Sequence, residues 1–256
     1  GGAIFASEAA VHVADSTFTS NGAVGQGGAI FASFPTALTI SGSTFASNSA
    51  TTDGGAVAID GVKVGAPGAF SITGSTFTDN IAGADGGALA GTSLWSGPLT
   101  ISGSTFSGNR AGGSGGAAAL DLGEYRLVGS SFTGNTAVSG NGGAVSAGGS
   151  LTVDGGLFDG NSAGARGGAI DALSDASISG AVFTNNVSGT SGAAIYLRVD
   201  PPSSAAGNTF SGNISEVDSA DVDGATFPIV DDTTPTTVTP TTELPIAEPT
   251  PTTGAA

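Results

Sequence analysis

Apolar residues recur along this chain in short period-two segments, never at helical spacing. Apolar-x-apolar triplets fall at Val11/Val13, Leu38/Ile40, Phe70/Ile72, Leu99/Ile101, Tyr125/Leu127, Leu151/Val153 and, more weakly, Ala176/Ile178. Each is followed at a fixed distance by a Phe, and each Phe after three residues by an Asn. The pairs are Phe18/Asn21, Phe45/Asn48, Phe77/Asn80, Phe106/Asn109, Phe132/Asn135, Phe158/Asn161, Phe183/Asn186 and Phe210/Asn213. A Gly pair comes next, at Gly27, Gly54, Gly86, Gly115, Gly142 and Gly167, with Gly192 alone in the seventh repeat. Beyond it the third and fifth positions are apolar or small, as in Ile30/Ala32 and Val57/Ile59. Alternation of this length, bounded by turn residues, predicts three short strands per repeat.

The repeat length runs from 25 to 32 residues. A unit of that size cannot bury its own apolar face, so it must stack on its neighbours as a solenoid. The prediction is an all-β solenoid of about eight coils over 1–213, a terminal coil or cap over 214–230 and a disordered Thr/Pro-rich linker over 231–256. Stacking places Phe above Phe, filling a cross-section that Ala cannot fill. It places Asn above Asn at the turn leaving the Phe strand, where an amide tolerates a left-handed backbone and bonds to its counterparts in adjoining coils. The residue before Asn is often Gly (Gly108, Gly134, Gly160, Gly212), which also suits an unusual turn. The Gly pair is expected where φ is positive or coils approach too closely for a Cβ.

Together, the Gly-Gly-Ala-Ile and Phe-x-x-Asn elements resemble the repeats of polymorphic outer membrane proteins and related bacterial surface proteins. That resemblance implies a right-handed parallel β-helix, an extracellular or cell-surface location and an adhesin-like role. It covers 1–213 and stops there. No membrane barrel follows, only Thr/Pro-rich sequence of the kind that forms O-glycosylated stalks or undecorated linkers. The chain begins inside a repeat, at Gly1-Gly2-Ala3-Ile4, and reads as part of a longer protein.

Composition sharpens this picture. With 21 acidic and five basic residues the net charge is −16, which disfavours nucleic acid and anionic membranes as partners. Host or neighbour-cell proteins and glycans remain. Absence of Cys excludes disulfides and thiolate metal sites. No apolar run reaches the ~18 residues of a spanning helix.

Candidate chemistry is sparse. Parallel β-helices also serve as polysaccharide lyases and hydrolases, which need convergent carboxylates or a basic residue beside bound calcium. Here the outward strand positions are mostly Thr and Ser, and His12, the single histidine, reads as a solvated strand residue. No catalytic residue or cofactor is expected. A degenerate carbohydrate-active domain is the enzyme alternative. Ice or surface binding through the hydroxyl columns is another, although Leu157 and Val182 interrupt them. Asp53 and Asp85 precede Gly pairs on adjacent coils and form a possible calcium pair; an Asp so placed more often bonds its own turn. The sequons at Asn186 and Asn213 fall on ladder residues, where a buried amide is a poor glycan acceptor. Two consecutive coils are lengthened, at 60–69 and 91–98, and carry the sole Lys, Lys63, and the sole Trp, Trp95. Insertions on one face of a solenoid often bind, so these two are the candidate ligand contacts.

Overall fold

The computed structural model describes residues 1–62, 68–92, 94–198, 203–216 and 222–223. Those residues form a parallel β-solenoid with four sheets of nine, eight, eight and eight strands. The first sheet collects the strands after the Gly pair (Ile30–Ser33, Val57–Asp60, Ala118–Leu120) and the second the apolar triplets (Ala37–Ser41, Phe70–Thr73, Ser150–Asp154). The third collects the Phe strands (Thr44–Ala46, Thr76–Thr78, Thr105–Ser107). Register is conserved from coil to coil: Phe45 pairs with Phe77, and Phe77 with Phe106.

Three strands per coil is an undercount. A fourth strand of two residues follows the Asn in every coil, as at Ser49–Ala50, Ile81–Ala82 and Arg110–Ala111. Two residues are too few to show alternation. Their trace in the sequence is a small residue five positions after each Phe, buried from Ala50 onward and including Ala82, Ala111, Ala137 and Ala163.

Buried Phe rings run up the interior from Phe45 to Phe210, with Phe18 partly covered at the first coil. Adjacent centroids lie 4.6–5.2 Å apart with interplanar angles of 1–12°. Strand spacing of ~4.8 Å imposes this separation. It exceeds face-to-face contact, so near-parallel rings are held as an offset stack, the arrangement their quadrupoles favour.

The Asn ladder uses every hydrogen-bonding position of the amide. Oδ1 of Asn109 accepts from the backbone N–H of Asn80 at 3.0 Å and from its Nδ2 at 2.9 Å. Nδ2 of Asn109 donates to Oδ1 of Asn135 at 2.9 Å and to the Phe77 carbonyl at 3.0 Å. Asn48 and Asn161 repeat this pattern. Nδ2 of Asn48 donates to Asn80 Oδ1 and the Phe18 carbonyl, and Nδ2 of Asn161 to Asn186 Oδ1 and the Phe132 carbonyl. Asn21 opens the ladder on the first coil. Its backbone N–H and Nδ2 both donate to Asn48 Oδ1, at 3.0 and 2.9 Å, and the residue is half-buried, whereas Asn48 through Asn213 are buried.

The left-handed backbone expected at the ladder Asn is a misplacement by one residue. None of Asn21, Asn48, Asn80, Asn109, Asn135, Asn161, Asn186 or Asn213 has positive φ; the residue before each of them does. Ser20 has φ 55°, Ser47 54°, Asp79 53°, Gly108 63°, Gly134 61°, Gly160 62°, Asn185 55° and Gly212 66°. The division of labour is physical, because an Asn in the ladder points inward while its predecessor makes the corner.

The Gly pair divides its two tasks. The first glycine takes positive φ, 64° at Gly115, and the second makes the close approach. A Cβ on Gly116 would stand 2.0 Å from the Gly143 carbonyl oxygen and 2.6 Å from Thr136 backbone atoms of the next coil.

Candidate functional site

Most of the polar chemistry in this fold is spent between coils. Besides the Asn column, Ser16, Ser43, Ser75, Ser104 and Ser130 form a second ladder. Each hydroxyl beyond Ser16 accepts the preceding serine's backbone N–H at 3.1–3.2 Å, and the first four of the column donate to a carbonyl two residues back at 2.7–3.1 Å. Sequence reading passes over this ladder, although a Ser two residues before Phe in most repeats marks it.

Asp53 and Asp85 do lie on one column, and that column is used for turn capping. Asp53 Oδ1 accepts the Asp85 N–H at 3.2 Å, and Asp85 Oδ1 accepts the Ser114 N–H at 2.6 Å. Gln26 Nε2 donates to Asp53 Oδ2 at 3.2 Å. The two carboxylates bond across coils instead of within their own turns. Among the described residues no group of three or more His, Asp or Glu is placed to hold a metal ion. Nearby Asp121 has its pKa raised, first by burial and then by Asp85 and Asp53.

His12 is exposed, with Nδ1 2.7 Å from Thr39 Oγ1 on the next coil, so it joins the outward row of the second sheet. Asn186 and Asn213 are buried, which fits the discounting of both sequons. Lys63 and the side chain of Trp95 lie outside the described residues. The backbone of Trp95 belongs to the strand Leu94–Ser102, whose pairing with Gly123–Val128 shifts register between Leu94 and Leu99.

Beside that shift lies a groove of mixed chemistry on the second sheet. Pro98, Glu124, Tyr125, Arg126, Ser150 and Thr152 enclose about 220 Å³. Tyr125 is buried, and its hydroxyl donates to the Leu122 carbonyl at 3.2 Å. Burial, then the Asp121 charge, holds that phenol far above its ordinary range. Arg126 lies 3.5 Å from Asp154, both side chains about half exposed.

A different cluster occupies the outer side of the first sheet. Asp171 is fully buried, and neither carboxylate oxygen has a hydrogen-bond partner. Arg166 Nε stands 3.6 Å from it, while the guanidinium lies 4.3 Å above the Tyr196 ring. Burial outweighs the arginine and pushes the Asp171 carboxyl up to about 6. At the other end of this sheet, Phe5 and Phe31 project outward with centroids 5.5 Å apart. The doubled Gly-Gly-Ala-Ile-Phe-Ala-Ser at 1–7 and 27–33 is the signal that would have found them.

These features define a class: a parallel β-solenoid of Phe-x-x-Asn repeats in which side-chain chemistry chiefly serves coil stacking. Residues 15–33 and 180–198 match the family model of the Chlamydia polymorphic membrane protein repeat. Each matched segment runs from the corner before a Phe strand through its Asn and Gly turn into the first sheet, so the match falls on the residues that build the coil. Neither the curated proteins nor the solved structures contain a match to this chain.

Proposed function

We propose that this chain is a non-catalytic structural and adhesive module of an extracellular or outer-membrane-associated surface protein. The observation that carries the reading is the coil-to-coil conservation of register. It turns single hydroxyl residues into straight outward rows such as Thr39, Ser71 and Thr100 on the second sheet. A rod with repeated identical positions binds by multiplicity, and since insertions in a solenoid often bind, the lengthened coils at 60–69 and 91–98, with Lys63 and Trp95, are assigned the specific contacts. The repeat match, to a membrane protein family, supports the surface location.

The test is adherence. Beads coated with the full 256-residue chain should bind epithelial monolayers well above albumin-coated beads. Adherence no better than albumin overturns the adhesive reading. Release of reducing ends or unsaturated products from acidic polysaccharides would favour a carbohydrate-active domain instead, and thermal hysteresis an ice-binding one.

A further inference from the structure

The groove beside Pro98 differs from the rest of the hydroxyl surface in bringing a carboxylate and a guanidinium together with two hydroxyls. On the second sheet some outward side chains bond across coils: His12 with Thr39, Thr73 with Ser102 at 3.3 Å, Ser204 with Ser177 at 3.4 Å. In the groove the Glu124 carboxylate and the Ser150 and Thr152 hydroxyls make no side-chain hydrogen bond within the described protein, and Arg126 has only its 3.5 Å approach to Asp154. Register explains why they converge. Glu124 pairs with Ser150 and Arg126 with Thr152, so alternate residues of two adjacent strands face the same side, two from each. Pro98, at the end of the lengthened coil, adds an apolar edge.

We propose that this groove is a subsite for one neutral sugar ring. An acceptor (Glu124), a multidentate donor (Arg126) and two hydroxyls that serve as either match the alternating donors and acceptors of a pyranose, and the proline suits its C–H face. At about 220 Å³ the space falls below the ~300–1,000 Å³ of sites for drug-sized ligands, which fits a single ring. A neutral sugar is favoured over a uronate because Glu124 and Asp154 border the arginine and the chain carries −16 overall. The proposal rests on the adhesive reading and supplies its ligand class.

Saturation-transfer NMR on the full chain tests it, with the methyl glycosides of glucose, galactose and N-acetylglucosamine and with glucuronate as probes. At least one neutral glycoside should receive saturation. Loss of a hydrogen bond to a charged group should weaken its binding roughly tenfold or more in Arg126→Ala and Glu124→Gln. Thr152→Val, which keeps the strand's shape, should weaken it too. Arg110→Ala, an exposed arginine of the fourth sheet, should leave it unchanged, and thermal melts should show every variant folded. No transfer from any neutral glycoside, transfer indifferent to the groove substitutions, or preference for glucuronate would each overturn the subsite. Bead adherence separates the two readings. Adherent wild-type beads without sugar transfer leave the adhesive module standing and remove the subsite; sugar transfer lost in Arg126→Ala without adherence does the reverse.

Discussion

Asp171 is the residue at which this molecule departs most from its own design. Its strand neighbours in the first sheet are Ser146 on one coil and Tyr196 on the other, so a carboxylate stands between a small and an aromatic residue in a row whose next position is Asp223. Arg166 covers it from the turn, held also by Asn141 Oδ1, which accepts from the Arg166 backbone N–H at 3.2 Å. The ion pair at 3.6 Å is not a hydrogen bond, and burial wins. The folded carboxyl sits at about 6 against an ordinary 3.8, so the native state binds this proton more tightly than the unfolded chain. Stability from this group is therefore complete below about pH 4 and is lost as pH rises through about 6, a loss of about 2–3 kcal/mol at neutral pH. Asp171→Asn removes the buried charge while Arg166 keeps Tyr196 and Asn141. The variant should lose much of the wild type's decline in melting temperature between pH 4 and 7, and should be the more stable protein at pH 7.5. Parallel pH profiles for the two proteins would show that the Arg166 pairing, not burial, governs this carboxylate.

Elements in this fold are interchangeable coils, and their stability is a sum of neighbour contacts. Phe106 has a ring at 4.6 Å on one side and at 4.9 Å on the other, whereas among the described residues Phe210 stacks on Phe183 alone, at 5.2 Å. Phe106→Ala should thus cost about 3–5 kcal/mol as a closed cavity, and Phe210→Ala distinctly less, measured as shifts in denaturant midpoint. Equal costs would contradict independent coil interfaces. The same logic explains what the sequence disclosed. Phe and Asn were legible because each is the one residue type its position accepts, so stacking repeats it without drift, and the Gly pair because among the first seven repeats it changes only in the seventh, where Ala193 follows Gly192. Where the residue before the ladder Asn is Gly the corner is visible in the sequence; at Ser47, Asp79 and Asn185 it is not, because the recurring Asn draws the eye while the corner itself accepts Ser, Asp, Asn or Gly. The fourth sheet was not legible, since two-residue strands carry no alternation. The Ser ladder was obscured because hydroxyls on outward faces are equally common, and only the turn geometry sends Ser43 and Ser75 inward. The groove was half legible. The insertion that ends at Pro98 was visible, but the convergence of Glu124, Arg126, Ser150 and Thr152 depends on strand register, which one repeat read alone does not contain. For Asp53 and Asp85 the shared column was right and the bonding partners were not, because each carboxylate reaches the N–H of the following coil.

At the scale of the whole molecule, charge and shape act against each other. A solenoid exposes much surface per residue buried, and this one carries −16 with four arginines and a single lysine to offset 21 acids. Four of those acids, Asp231, Asp232, Glu243 and Glu248, fall in the Thr/Pro segment 231–256, which has no alternating apolar pattern with which to join a coil. The first sheet already ends on Val222–Asp223, paired with Ile195 and Tyr196, so the last described strand of the stack precedes that segment. Removing 231–256 should then leave the β-type circular dichroism of the coils and the cooperativity of melting intact. In low salt the shortened chain should melt at the same temperature as the full chain or higher, since it sheds repulsion and no contacts. In ~1 M salt, where charges are screened beyond about 3 Å, the two midpoints should coincide. A shortened chain that melts lower in high salt, where repulsion no longer counts, would mean that the Thr/Pro segment packs on the coils and belongs to the fold.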